Sequence, residues 1–240
     1  KFSVEDYLTG GTTVEDSLIS AQEVVSAGAS LLHAWAGWHE TTVPMLQMSV
    51  PRGIIVHLAK ALKGAVDVPV IAVGRINDPM LAVRIIKEGN ADLVAMARAF
   101  LADPQIVRKT AEGRLDEVRP CTACCHCFDK VMEVIKEGKV HAQVACAVNA
   151  EVGREWEERV KPAPVSRKIL VVGGGPAGME AAIVAAERGH KVTLWEMGDR
   201  LGGTLLLAIV PPHKEELRGL IDYMQKRMKM LGVDIHLGKE

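Results

Sequence analysis

Hydrophobic and polar positions in the first half of the chain alternate between two periods. Residues 15–27 carry apolar side chains at helical spacing, and Gly28 then leads into the apolar run 29–36. Residues 52–66 return to the helical period, and 68–73 form a short run rich in β-branched side chains, which suit extended backbone. Asp78-Pro79 places a capping residue before a proline at the first helical position, opening a helix that stops near Gly89. A buried-looking run at 91–97 precedes Asp103-Pro104, which repeats the cap-plus-proline start. The opening KFSV reads as strand. Successive strand-then-helix units predict a parallel sheet. They are compatible with part of a (β/α)8 barrel, and this pattern does not separate a barrel from an open sheet.

Residues 113–167 break the rhythm. They contain a helical patch at 129–137 and the linker Lys161-Pro-Ala-Pro-Val-Ser, whose two prolines mark a boundary. A second α/β unit starts at Lys168 and closes with a strand at 233–237. The chain starts at Lys1 without an initiator methionine, and only residues 238–240 follow the last strand. It is therefore expected to be cut from something longer at both ends.

The most specific local signal is Lys168-Ile-Leu-Val-Val-Gly-Gly-Gly-Pro-Ala-Gly-Met-Glu-Ala-Ala. A strand feeds Gly173, Gly175 and Gly178, and Pro176-Ala177 open a helix. Such glycines permit a tight turn and a close approach to a pyrophosphate, whose charge sits at the helix N-terminus. A second strand, 191–195, ends in Glu196, whose carboxylate suits ribose hydroxyls and repels a 2′-phosphate. The segment from Gly198 through Arg200 to Gly202-Gly203 fits a loop that returns a second glycine pair towards the pyrophosphate, which favours FAD over NAD.

The cysteines fall at 121, 124, 125, 127 and 146 and nowhere else. One tight cluster points to a metal more than to a disulfide framework. Cys121, Cys124 and Cys127 at C-x2-C-x2-C spacing, with Cys146 as a remote fourth thiolate, suit an iron–sulfur cluster. The competing reading is structural zinc, with His126 or His141 as a nitrogen ligand. Cys125 is surplus to either set.

In the first half, Gly74-Arg75 and Ala97-Arg98 are expected to end strands, where a barrel rim holds phosphates. Each arginine alone reads more readily as a surface salt-bridge partner, and their matched placement on consecutive units favours the phosphate role. Gly37-Trp38-His39-Glu40 follows a predicted strand, and His39 is a candidate proton donor or a loop histidine with a structural partner. Met224, Met228 and Met230 are expected on a core-facing helix side, and His57, His190, His213 and His236 show no constellation. With 48% hydrophobic and 25% charged residues and a net charge of −1, no global field attracts nucleic acid or anionic membranes. No apolar run reaches membrane-spanning length, and the first residues lack the pattern of a secretory signal, so the cytoplasm is the expected compartment.

Together these motifs resemble the multidomain old yellow enzyme relatives: 2,4-dienoyl-CoA reductases, enoate reductases, bile-acid enone reductases and trimethylamine dehydrogenase. The resemblance implies an α/β protein in three parts: the C-terminal part of an FMN-binding TIM barrel at 1–115, a 4Fe-4S segment and linker at 116–165, and part of a Rossmann-like FAD-binding fold at 166–240. It implies that Lys1 lies near the flavin pyrimidine edge, that Gly74-Arg75 and Ala97-Arg98 contact the FMN phosphate, and that His39 assists proton delivery. It implies that Cys121, Cys124, Cys127 and Cys146 hold the cluster. Cys146 follows Cys127 by nineteen positions, more than is usual in the family. The barrel's first half, with the family's proton-donating tyrosine, and the NAD(P)H module lie outside this sequence. The implied activity is NAD(P)H-dependent reduction of an unsaturated small molecule through FAD, 4Fe-4S and FMN. The alternatives are amine dehydrogenation, or an electron-transfer piece inactive alone. No nucleic-acid or membrane partner is implied, and homo-oligomerisation is left open.

Overall fold

The computed structural model describes residues 1–37, 40–43, 45–138, 144–157 and 159–239. These form two compact units, Lys1–Phe100 with Ala123–Cys125, and Leu101–Thr122 with His126–Glu240.

In the first unit β1 (Phe2–Glu5), β2 (Leu32–Ala36), β3 (Val70–Ala72) and β4 (Leu93–Val94) pair in that order, all parallel. The crossovers carry α1 (Val14–Ser26), α2 (Val56–Ala65) and α3 (Pro79–Lys87). Local chemistry sets the helix starts. Thr13 and Asp16 form a reciprocal capping box on α1, and Asp78 accepts the Met80 N–H on α3, with Pro79 at its first position.

Side chains alternate across the strands. Val4, Leu32, Ala34, Val70 and Ala72 pack against Ala21, Leu58, Leu62 and Ile85 from the helices. The register His33↔Ile71↔Leu93 runs along the opposite face, where Leu93 is 49% exposed. On that face the Lys1 ammonium sits 4.7 Å over the Trp35 ring. Nearby, His33 Nε2 is buried without a hydrogen-bond partner among the described residues. Burial first, then the Lys1 ammonium, hold the His33 imidazole below its ordinary pKa.

β4 is only two residues long, so Ala97 and Arg98 do not end a strand. They open the helix α4 (Ala97–Ala102). The second cap-plus-proline start also differs. Pro104 lies in a turn, and α5 (Ile106–Ala111) begins after Gln105, whose N–H the Asp103 side chain accepts at 3.0 Å.

In the second unit α6 (His126–Glu137) follows the cysteine loop. β5 (Lys168–Val172), β6 (Lys191–Glu196) and β7 (Asp234–Leu237) form a parallel sheet in sequence order. α7 (Pro176–Glu187) and α9 (Glu216–Met230) cover one face, and the short α8 (Leu205–Ala208) adjoins α9. Met179, Ile183, Leu194, Leu220, Tyr223 and Met228 form the core. Met224 and Met228 point into that core, whereas Met230 is 54% exposed, because it lies in the last turn beyond the covered face. The outer side of β5 presents Leu170 and Val172, 51% and 70% exposed.

Candidate functional site

The glycine motif builds a concave turn between β5 and α7. Gly173 adopts φ +103° and has open space on its side-chain side. Gly175 caps α7, and Pro176 and Ala177 form its first turn, where backbone N–H groups lack intrahelical acceptors. Gly178 is obligatory: a Cβ there would stand 1.9 Å from the Gly173 carbonyl oxygen. The loop after β6 folds back on this turn. Gly202 N–H donates to the Gly174 carbonyl at 2.9 Å, and a Cβ on Gly203 would lie 2.9 Å from Gly175 Cα.

Glu196 ends β6 at the same place, accepting the Gly174 N–H at 2.5 Å and the Gly198 N–H at 2.7 Å. Those two amides, Gly198 first, hold its pKa below the usual carboxylate value. Each carboxylate oxygen keeps a further lone pair for a hydroxyl donor. Arg200 does not join this group. It is 73% exposed and 3.9 Å from Asp199.

In the first unit a loop is strapped over the C-terminal ends of the strands. Arg75 is 4% exposed rather than a surface residue. Its guanidinium donates to the Gln47 and Met48 carbonyls at 3.0 and 3.1 Å and to Asn77 at 3.1 Å. Arg98 donates to the Leu46 carbonyl at 2.7 Å. Gly74, at φ +103°, faces Ile55, and a Cβ would come within 2.2 Å of its side chain. An apolar cavity of about 300 Å³ opens here, lined by Tyr7, Thr41, Val43, Leu46 and Ile54 among others. His39 lies outside the described residues, so its placement is not part of this geometry. Lys1 directly precedes β1, with its ammonium over Trp35, the last residue but one of β2.

None of the five cysteines is joined in a disulfide among the described residues. Ala123 and Cys125, on either side of Cys124, both adopt left-handed backbone, φ +51° and +62°. That conformation is rare for residues with a Cβ, and left-handed residues within a turn orient N–H groups as in many anion and iron–sulfur sites. Cys124 is exposed at the tip. Cys125 is less idle than its surplus position implies, because its sulfur accepts from Arg98 Nη1 at 3.3 Å. Among the described residues, no group of three or more His, Cys, Asp or Glu side chains is gathered as a metal site.

The structure adds residues that the motifs did not mark. Arg119, Asn149, Glu180 and Tyr223 meet in one polar cluster: Arg119 donates to Asn149 at 2.9 Å and to the Tyr223 hydroxyl at 3.4 Å, and lies 4.0 Å from Glu180. The only sequence signal was Arg119-Pro120 directly before Cys121.

Residues 1–117 match the model of the NADH:flavin oxidoreductase / NADH oxidase family, and residues 168–229 match that of the FAD dependent oxidoreductases. The chain belongs to the multidomain NADH:flavin oxidoreductase family. A relative described as a metal reductase of Desulforamulus reducens is 42% identical over 96% of this chain and 34% of its own length. A cinnamate reductase of Clostridium sporogenes is 39% identical over 97% of this chain and 34% of its own. An N,N-dimethylglycine/sarcosine dehydrogenase of Chromohalobacter salexigens is also 39% identical, over 83% and 28%. The solved complex of 2-naphthoyl-CoA reductase with 2-naphthoyl-CoA superposes with a TM-score of 0.92 at 32% identity, covering all of this chain and 36% of that one. The chain thus spans about a third of the length of the curated relatives it matches. No helix among its described residues is long and apolar enough to cross a membrane.

Proposed function

We propose that the protein carrying this chain reduces the C=C bond of an α,β-unsaturated acid, thioester or ketone with NAD(P)H as electron donor. FMN, FAD and a 4Fe-4S cluster are its resident redox groups. The observation that carries this reading is the full-length superposition on a reductase bound to an aromatic acyl-CoA. The identity with a cinnamate reductase adds to it.

The two units suit these roles as parts of larger folds. Four parallel strands in consecutive order, covered by helices on one face only, support the C-terminal part of a (β/α)8 barrel. Three parallel strands with a glycine turn support part of a Rossmann-like FAD fold.

The residues present suit the groups by type, the thiols not being gathered into a metal site among the described residues. Gly173 and Gly175 leave room for a pyrophosphate over the first turn of α7, Gly178 and Gly203 let neighbouring backbone close on that turn, and Glu196 accepts ribose hydroxyls. Gly74, Arg75, Ala97 and Arg98 are assigned to the FMN phosphate, and Lys1 to the flavin's pyrimidine edge. The four thiols Cys121, Cys124, Cys127 and Cys146 are a sulfur donor set of iron–sulfur type. Bound flavins supply hydride exchange and a bound cluster supplies single-electron exchange, which lets a two-electron donor serve two separate flavins. The apolar cavity beside Leu46 and Ile54 receives the hydrocarbon part of the substrate and keeps water from it. His39 assists delivery of the proton to the α-carbon.

Amine dehydrogenation is the second reading, favoured by the dimethylglycine/sarcosine dehydrogenase relative. The complete gene product decides between them. It should reduce cinnamate, a dienoyl-CoA or a 3-oxo-Δ4-steroid with NAD(P)H and leave trimethylamine and dimethylglycine untouched; the reverse pattern transfers the assignment to the second reading. The purified protein should contain iron, acid-labile sulfide and two flavins, and Cys124→Ser should lose the cluster's visible absorption. Zinc without sulfide would remove the cluster from the scheme. The 240-residue chain alone is expected to have no turnover.

A further inference from the structure

Arg119 stands two residues before Cys121, and Asn149 three residues after Cys146. The guanidinium Nη1 donates to Asn149 Oδ1 at 2.9 Å, so the backbone entering the first cysteine meets the backbone leaving the last. Both ends of this contact are themselves fixed. Arg119 N–H donates to Asp103 Oδ2 at 2.9 Å, and Lys109 holds that carboxylate at 2.6 Å. Asn149 is 6% exposed, donates through Nδ2 to the Leu101 carbonyl at 2.9 Å and accepts the Glu151 N–H at 3.2 Å, which sets its amide orientation.

The other edge of the guanidinium is turned to the helices. Its Nε donates to the Tyr223 hydroxyl of α9 at 3.4 Å, its centre lies 5.9 Å from the Tyr223 ring centroid, and Nη2 is 4.0 Å from Glu180. Glu180 belongs to α7, two residues beyond Gly178 of the dinucleotide turn. A planar fork can donate to Asn149 and Tyr223 from fixed directions while its charge faces Glu180, a geometry that a compact ammonium does not reproduce.

We propose that Arg119 is a positioning residue for the cysteine cluster: it clasps the Cys121 segment to the Cys146 segment and anchors both on α7 and α9. This rests on the cluster reading above. It also accounts for the long stretch between Cys127 and Cys146, since the clasp fixes where the chain returns whatever path it takes in between.

The test uses the full-length holoprotein. Iron release to a ferrous chelator is followed by loss of visible absorbance, together with the EPR spectrum of the reduced cluster and the melting temperature. Arg119→Lys and Asn149→Ala should each speed iron release by at least about tenfold, as expected for the loss of one charge-assisted hydrogen bond. The double variant should be no faster than the quicker single one, because both remove the same contact. Tyr223→Phe, which deletes only a hydroxyl, should give a smaller increase, and Arg108→Ala, at an exposed ion pair, none. The EPR g values should shift in Arg119→Lys. Unchanged release, additive effects, or a lowered melting temperature with unaltered g values would each overturn the clasp alone. A wild-type protein without iron and sulfide would overturn the cluster reading and the clasp with it.

Discussion

Glu180 sits in an environment that opposes its charge. Among the described residues its carboxylate has no hydrogen bond, and Arg119 at 4.0 Å is its only ion-pair partner. Burial raises its pKa, Arg119 pulls the other way without winning, and Glu187 and Glu151 add repulsion. A carboxyl raised in this way binds its proton more tightly folded than unfolded. Its favourable contribution is fully present below the unfolded carboxylate pKa and is lost as pH rises through the folded value. Glu180→Gln should therefore melt at a higher temperature than wild type at pH 7, and the two curves should converge below about pH 4. A variant less stable at pH 7 would show that the Arg119 pair outweighs burial. The contrast with Glu196 is instructive. Its position beside the glycine turn is legible because strand, glycines and acid follow a local pattern, and the Gly174 and Gly198 amides that lower its pKa come from that same pattern. Glu180 lies inside the motif, yet its partner is Arg119, on a segment no spacing rule connects to it.

Helix starts show the same division at the level of elements. Asp78-Pro79 opens α3 as the sequence indicates, because an N-cap needs only its own first turn. Asp103-Pro104 carries the same signature, but Lys109 at 2.6 Å and the Arg119 N–H at 2.9 Å claim its carboxylate along with the Gln105 N–H. The local bond to the Gln105 N–H is kept on one carboxylate oxygen, and the long-range partners take the other. Arg98 was expected at the end of a strand, but β4 stops at Val94 and the arginine enters α4. An apolar run does not say where pairing ends. Asp78 also touches Arg52 at 3.3 Å, a half-exposed ion pair. Asp78→Ala should cost about 1 kcal/mol through loss of the cap, whereas Arg52→Ala should cost only about 0–1 kcal/mol and towards the low end. Chemical denaturation of both variants separates the two. Equal losses would mean that the ion pair, not the cap, makes Asp78 matter.

Across the whole molecule, two separate apolar cores organise the chain. One gathers Leu58, Leu62, Val70 and Ile85 beneath β1–β4, and the other gathers Met179, Leu194, Tyr223 and Met228 beneath β5–β7. Alternating strand and helix periods made both parallel sheets legible. What the periods could not show is that residues 101–122 join the second unit, because the ties that hold them, Arg119 to Tyr223 and Lys226 to Asp116, come from single polar side chains. Leu58 is 1% exposed and Met228 is 0%. Truncating either to alanine should cost about 2–5 kcal/mol in transfer and cavity terms. Because each core is self-contained, the loss should stay local. Hydrogen exchange should quicken in β2, β3 and α2 for Leu58→Ala while the amides of β5 and β6 keep their rates, and the pattern should invert for Met228→Ala. Acceleration everywhere from either substitution would mean that the two cores open as one cooperative body, and the division into units would then describe geometry without describing stability.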